Sequence, residues 1–242
     1  MHGGNPLIKI VNSVSNKIHI SRIIFYYFLY YFPLRYKIRK ILSFDKHSTS
    51  LFDKDQEEQS LPNIKKHKKK HYYIYMLGRY LYSIKYIKNK KVLDSGCGLG
   101  WGSYLISDFP KELFSIDINA KALKFAKEKW NSPKLNFLKH SVLDLINLKN
   151  KFKVVLSYEL IEHLTYEDGK KYLNQVYKIL EKEGVLIMSS SFPSDNKKAR
   201  ELKKKNSFHL HIYTKSEIKN ILNDIGFSKI NFLGNFMLIA KK

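Results

Sequence analysis

Four glycines stand at alternate positions in the segment VLDSGCGLGWGS, residues 92–103, directly after a short apolar run that closes on an acid. Glycine is favoured where the backbone turns with positive φ or where another group approaches the main chain closely. A strand that runs through such a loop into a helix is typical of an α/β sheet that holds a ligand at the carboxyl ends of its strands. This loop therefore predicts an α/β fold with a ligand site at the loop.

Short apolar runs alternate with helical periods along the remaining sequence, which predicts an α/β, Rossmann-like, doubly wound sheet that is mostly parallel. Only the dipeptide Gly234-Asn235 separates the final two runs, so their strands must pair antiparallel. The seven predicted strands cover residues 91–94, 113–117, 135–138, 153–157, 184–190, 229–233 and 236–240. Asn119 and Thr214 are expected to cap helices, the second in a capping box with Glu217.

The N-terminal quarter has a different composition. Residues 1–62 are predicted to form a hydrophobic and basic helical extension with a linker, ahead of a main domain at 63–242. The apolar run IIFYYFLYYF, residues 23–32, is too short to span a bilayer, but basic residues flank it. Residues 18–40 therefore form either a helix in peripheral contact with a membrane surface or a helix packed on the main domain or a partner subunit.

Charge and cysteine content limit the function classes. The net charge of +23 suggests an anionic partner, yet 39 lysines stand against 5 arginines. Arginine is favoured for bidentate contacts to phosphate and guanine, so this ratio argues against a nucleic-acid partner. The single cysteine, Cys97, excludes an intrachain disulfide and fits a reducing compartment. We expect a cytoplasmic protein, with any membrane contact at the inner face.

The spacing of the glycines excludes two familiar nucleotide loops. A P-loop requires Lys-Ser or Lys-Thr directly after its second glycine, and no glycine of this loop is followed by such a pair. The dinucleotide pattern needs a glycine at its sixth position, where this chain has Trp101 or Ser103. Two acids remain: Asp94 at the tip of the first strand can face an ammonium group, and Asp117 at the end of the second can accept both hydroxyls of a ribose. A nucleoside joined to an amino acid without phosphates is S-adenosylmethionine.

The segment VLDSGCGLGWGS, followed by SIDIN at 115–119, resembles motif one and its successor in class I S-adenosylmethionine-dependent methyltransferases. The resemblance covers about residues 80–242 and implies a seven-stranded sheet whose last strand is antiparallel. Residue by residue, it implies a cofactor site made of Asp94, Gly96, Cys97, Gly98, Gly100, Asp117, Ile118, Ser141, Val142 and Tyr158. Ser141 stands where the family usually has an acid, so the adenine amino group is expected to meet its hydroxyl or the backbone at Val142.

The segment after the fourth strand, SYELIEHL at 157–164, resembles the small-molecule branch of that family, which includes quinone and polysaccharide methylases. That branch implies a small-molecule, glycan or lipid-linked acceptor, methylated on oxygen. A hydroxyl acceptor must lose its proton, and His163 is the candidate base with Glu159 as its carboxylate partner. The alternative is a histidine that braces the following helix. The resemblance to quinone methylases also links Glu159, Glu162 and His163 to a divalent metal. No metal is expected, because three ligands within five residues make a weak site.

The basic stretch KKARELKKK at 197–205 precedes FHLHIY, where the family commonly has a lid over the acceptor. It is interpreted either as a cationic surface that steers an anionic acceptor or as a solvated loop. Two other functions stay open, an RNA methyltransferase and a catalytically silent cofactor-binding subunit of a partner. The sequence predicts no oligomeric state.

Overall fold

One seven-stranded sheet organises the computed structural model, which describes residues 32–42 and 72–242. Its strands are β1 (Lys91–Ser95), β2 (Glu112–Asp117), β3 (Leu135–Lys139), β4 (Phe152–Tyr158), β5 (Leu180–Ser189), β6 (Ser228–Leu233) and β7 (Met237–Lys241). Their order across the sheet is β3-β2-β1-β4-β5-β7-β6. Neighbours from β3 to β5 pair in parallel, whereas β7 lies antiparallel between β5 and β6. The predicted doubly wound sheet with an antiparallel last strand is confirmed.

Helices precede and connect the strands. They are α1 (Phe32–Leu42), α2 (Tyr72–Ile87), α3 (Trp101–Ile106), α4 (Ala120–Lys129), α5 (Tyr166–Ile179), α6 (Asn196–Lys204) and α7 (Lys215–Ile225), with short 3₁₀ segments at Val142–Leu148 and Ile161–His163. Asn119 caps α4 through its side-chain oxygen, and Thr214 with Glu217 forms the expected capping box on α7. The interpretation of 197–205 as a loop was wrong, because most of this stretch forms α6.

The core consists of two hydrophobic clusters, one on each face of the sheet. Successive strand residues point to opposite faces, so Val92 and Val154 join one cluster while Leu93 and Val155 join the other. The first cluster packs against α1 to α4, and the second against α5 and α7. Coverage on both faces leaves the carboxyl ends of the parallel strands as the edge where a ligand can bind.

Helix α1 packs on the main domain. Leu34, Ile38 and Ile41 are buried, and the buried Lys37 ammonium donates to the Ser107 hydroxyl and pairs with the Asp108 carboxylate at 2.8 Å. Residues 32–40 of the segment considered for membrane contact therefore belong to a docked helix. Residues 18–31, the linker and the boundary at 62/63 lie outside the described residues. No helix in the described part of the chain is both long and apolar enough to cross a bilayer.

Candidate active site

The glycine loop links β1 to α3 with a backbone that turns in the left-handed region. Gly96, Gly98 and Gly100 have φ of 73°, 52° and 72°, which L residues with a side chain rarely adopt. The main-chain nitrogens of Gly96 and Cys97 donate to the Ile116 carbonyl of β2, each at 2.9 Å. The loop is thus fixed at the carboxyl end of two neighbouring strands.

The three glycines are required for different reasons. A Cβ at Gly100 would lie 2.6 Å from the Phe137 ring, and one at Gly96 would lie 2.9 Å from the Leu160 side chain. A Cβ at Gly98 would meet no protein atom within 4 Å. Packing inside the domain therefore demands glycine at 100, whereas at 96 the end of the Leu160 side chain would have to shift. Gly98 borders open space that a ligand can occupy.

Asp117, the last residue of β2, braces this loop. Its Oδ2 accepts from the Gly98 nitrogen and its Oδ1 from the Asn119 nitrogen, each at 2.8 Å. A carboxylate oxygen can accept more than one hydrogen bond, so both oxygens retain capacity for a pair of ligand hydroxyls. The neighbouring Ile118 has 69% of its surface exposed, and it offers an apolar contact beside the same space.

Asp94 lies buried beneath the loop. Its Oδ2 accepts from the Ser103 hydroxyl at 2.5 Å and from the Tyr80 hydroxyl at 3.2 Å, while its Oδ1 has no partner. Burial raises the pKa of this carboxyl to about 6, although the hydrogen bonds from Ser103 and Tyr80 oppose the rise. An unpartnered buried oxygen favours a cationic ligand group, because an unmet acceptor inside a protein is costly.

Arg79 of α2 is a site residue that the sequence analysis missed. Its guanidinium lies 2.7 Å from Glu159 Oε1, which also accepts from the Ser189 hydroxyl at 2.8 Å. Its positive charge also opposes the rise in the Asp94 pKa. The α2 pattern showed only apolar spacing, so nothing in the sequence distinguished Arg79 from a solvated charge. The predicted catalytic Glu159 thus belongs to a network with Arg79 and Ser189.

Two predicted cofactor residues lie in the wall of the site. Tyr158 is buried, its ring packs edge-on against Tyr80 with centroids 4.8 Å apart, and its hydroxyl donates to the Arg79 carbonyl. Cys97 is buried too, and burial raises the pKa of its thiol well above the usual value. An uncharged thiol at this position acts as a small apolar group. Cys97 thus belongs to the loop itself, and Tyr158 supports α2.

The adenine-side prediction falls at the start of the 3₁₀ segment Val142–Leu148. The Ser141 hydroxyl accepts from the Leu143 nitrogen at 3.2 Å and so caps this segment. Val142 is half-buried beside it. The hydroxyl still has a proton to donate, and the contact of Ser141 and Val142 with adenine stays a prediction.

His163 ends the 3₁₀ turn Ile161–His163. It lies near the segment FHLHIY, residues 208–213. Its Nδ1 is 3.2 Å from the Phe208 carbonyl oxygen, which can only accept, so the hydrogen bond places the proton on Nδ1. Nε2 then carries the lone pair that a base requires. The His163 and His209 rings lie edge-on with centroids 5.3 Å apart.

Glu162 and His163 form a cluster with His209, and not with Glu159 as the sequence suggested. One ligand atom from each of Glu162, His163 and His209 lies within 4.8 Å of the others, a set that suits a divalent cation. Burial raises the pKa of Glu162 well above its usual range, and its Oε2 has no hydrogen-bond partner. His209 was missed as a member because it is 46 residues away in sequence. The expectation that no metal is used stays a prediction.

Known proteins show the same architecture and motifs. The model of a methyltransferase domain family matches residues 87–226, more than half of the chain. The chain therefore belongs to the class I S-adenosylmethionine-dependent methyltransferase family. This confirms the family resemblance, and with it S-adenosylmethionine as the cofactor.

Several relatives illustrate the range of this methyltransferase family. A Mycobacterium tuberculosis protein named a probable S-adenosylmethionine-dependent methyltransferase is 24% identical over 147 residues, 61% of this chain and 52% of its own length. A ubiquinone biosynthesis O-methyltransferase of Pelagibacter ubique is 31% identical over 110 residues, 45% of each chain. The methyltransferase therefore spans about half the length of the curated relatives it matches.

A solved structure extends the likeness of the fold. The magnesium protoporphyrin IX methyltransferase of Synechocystis, solved with bound S-adenosylhomocysteine, aligns with a TM-score of 0.57 at 16% identity. The alignment covers 91% of this chain and 99% of that one. At this identity the likeness concerns the fold.

The residues of this methyltransferase fit its cofactor. Open space borders Gly98, the Asp117 carboxylate faces that loop, and the buried Asp94 retains an unpartnered oxygen. These features suit, in turn, a closely approaching ligand, a ribose diol and an amino-acid ammonium group.

Proposed function

We propose that this chain methylates an oxygen of a small-molecule, sugar or lipid-linked acceptor. The observation that carries the proposal is the open space at Gly98, bordered by the Asp117 carboxylate and backed by the unpartnered Oδ1 of Asp94. When bound there, S-adenosylmethionine supplies a methyl carbon that is electrophilic because it is attached to a sulfonium.

The protein's own contribution is binding and orientation. We assign Asp94 to the ammonium of the amino-acid part, Asp117 to the ribose hydroxyls, and Arg79, beside Asp94, to the carboxylate. Ile118 and Val142 would contact the adenine ring, with Ser141 donating to it. Fixed alignment of two reacting groups can lower the barrier by up to about 7 to 11 kcal/mol, so such positioning can supply most of the rate.

His163 would remove the acceptor proton. With Nδ1–H donated to the Phe208 carbonyl, Nε2 can accept a proton from a hydroxyl. The Arg79–Glu159 pair would hold α2 against the end of β4, so Glu159 acts in positioning. The likeness to an O-methyltransferase of quinone biosynthesis supports an oxygen acceptor for this chain.

The test uses His163→Ala. Wild-type protein is incubated with S-adenosylmethionine that carries a labelled methyl group and with a small-molecule extract of the source organism, and labelled products are separated. General-base loss typically costs about 10²- to 10⁴-fold, so labelled product should fall by that factor while S-adenosylhomocysteine affinity stays constant. His211→Ala is the matched control, since His211 contacts Glu217 on α7.

Two results would contradict the proposal. Full turnover by His163→Ala would remove its role as base. A labelled product methylated on nitrogen would overturn oxygen as the acceptor while leaving methyl transfer intact.

A further inference from the structure

Helix α6 carries a concentrated positive surface. Two lysines, Lys203 and Lys204, follow Arg200 by three and four residues. This spacing places their side chains next to the Arg200 side chain on the helix surface. Ala199 of the same helix is buried and holds α6 against the domain. Lysines in the last turn of a helix interact favourably with its dipole, and this explains part of the positive charge of α6. It does not explain why the charged side chains line a cavity.

These three basic side chains do line a cavity. It has a volume of about 380 Å³, and its other lining residues are Asn206, Ser207 and His209. Small-molecule sites begin at roughly 300 Å³, so this space admits an anionic group together with part of the molecule that carries it. Asn206 and Ser207 add amide and hydroxyl donors to the three cations.

The positive charges of the cavity lack a counterion within residues 32–42 and 72–242, the part of the chain that the structure describes. Among the described residues, neither Arg200, Lys203 nor Lys204 forms an ion pair with a carboxylate. Like charges at helical spacing repel one another. An anion with two negative charges would relieve that repulsion, and an arginine with two lysines matches a phosphate ester or diphosphate better than a single carboxylate.

The cavity adjoins the candidate base. His209 belongs to its wall, and the His209 ring packs edge-on against His163 at 5.3 Å between centroids. The Asn206 side-chain nitrogen lies 3.0 Å from His209 Nε2. A molecule anchored by its anionic group in the cavity could therefore extend past His209 to place a hydroxyl beside His163.

We propose that this cavity binds the phosphate or diphosphate group of the methyl acceptor, which makes Arg200, Lys203 and Lys204 the residues that select a phosphorylated substrate. The inference rests on the proposed function. A soluble sugar phosphate and a lipid-linked diphosphate share this chemistry.

The first test is binding of inorganic pyrophosphate to protein saturated with S-adenosylhomocysteine, measured by calorimetry. The variant Arg200→Gln/Lys203→Gln/Lys204→Gln should weaken pyrophosphate binding by at least about tenfold, because hydrogen bonds to charged groups are among the strongest. Lys197→Gln/Lys198→Gln/Lys205→Gln removes equal charge from the same segment outside the cavity and should change it less than about twofold. Both variants alter exposed side chains and should keep the wild-type affinity for S-adenosylhomocysteine. Equal pyrophosphate affinity in the two variants would overturn the proposal.

The second test examines the acceptor. Phosphatase treatment of the extract before the labelled-methyl assay should abolish labelled product, and separate aqueous and lipid fractions show which source carries the phosphate. Labelling that survives phosphatase, or that ribonuclease removes, would overturn a small phosphorylated acceptor, the latter in favour of RNA. With either outcome, methyl transfer to some acceptor would still support a methyltransferase. Wild-type protein that does not bind S-adenosylhomocysteine would instead contradict the proposed function itself.

Discussion

Asp94 shows how a single buried carboxyl can make cofactor binding depend on pH. Its pKa is raised to about 6 by burial, so it is mostly neutral at pH 5 and mostly ionised at pH 7. Only the ionised form attracts an ammonium group. We expect S-adenosylhomocysteine affinity to rise about tenfold from pH 5 to pH 7, as a pKa near 6 requires. Calorimetric titration across this range measures it.

Two variants distinguish the contribution of Asp94 to this pH dependence from that of other titrating groups. Asp94→Asn should bind weakly and show no rise with pH. Glu162→Gln should retain the rise, although burial raises the pKa of Glu162 as well. A pH dependence that persists in Asp94→Asn would assign it to another group.

At the scale of elements, the glycine loop separates binding from folding. Gly98→Ala meets no neighbour, so it should cost only about 1 to 2 kcal/mol of unfolding free energy for its positive φ, while its methyl enters the cofactor space. Gly100→Ala forces a methyl against Phe137 and should destabilise the fold more. Urea unfolding and S-adenosylhomocysteine titration of both variants should show opposite rankings. Equal losses of stability would contradict this division.

The sequence predicted the loop, the sheet and the positions of Asp94 and Asp117 at strand ends, because strong local signals mark them: a glycine spacing and acids that end apolar runs. It missed α6, whose lysine-rich sequence offers only Ala199 and Leu202 as apolar markers of helical period. It also missed Arg79 and His209 as site members. Their roles depend on which segments meet in space, and neither residue has a local pattern that reports such contacts.

For the whole molecule, the docking of α1 determines how the N-terminal part relates to the enzyme. Ile38 is buried whereas Tyr36 on the same helix is 62% exposed. Ile38→Ala should lower the unfolding free energy by about 2 to 5 kcal/mol, the usual range for emptying a core position. Tyr36→Ala should change it by less than about 0.5 kcal/mol, as surface substitutions usually do.

Urea unfolding of these two variants tests whether α1 is part of the folded domain. If both changes are equally mild, α1 does not dock and remains free for other contacts. Membrane contact by residues 18–40 stays a prediction. Because α1 packs on the domain, we expect residues 18–31 to make most of any membrane contact. Vesicle flotation with and without residues 1–31 measures their contribution.

The central claim is that the space at Gly98 holds S-adenosylmethionine through Asp117. Calorimetric titration of the full chain with S-adenosylhomocysteine, alongside Asp117→Ala, tests it most directly. We predict micromolar binding that the substitution weakens by about a hundredfold or more, because two hydrogen bonds to a charged acceptor are lost. Absence of binding by folded wild-type protein, or unchanged affinity in Asp117→Ala, would contradict the account.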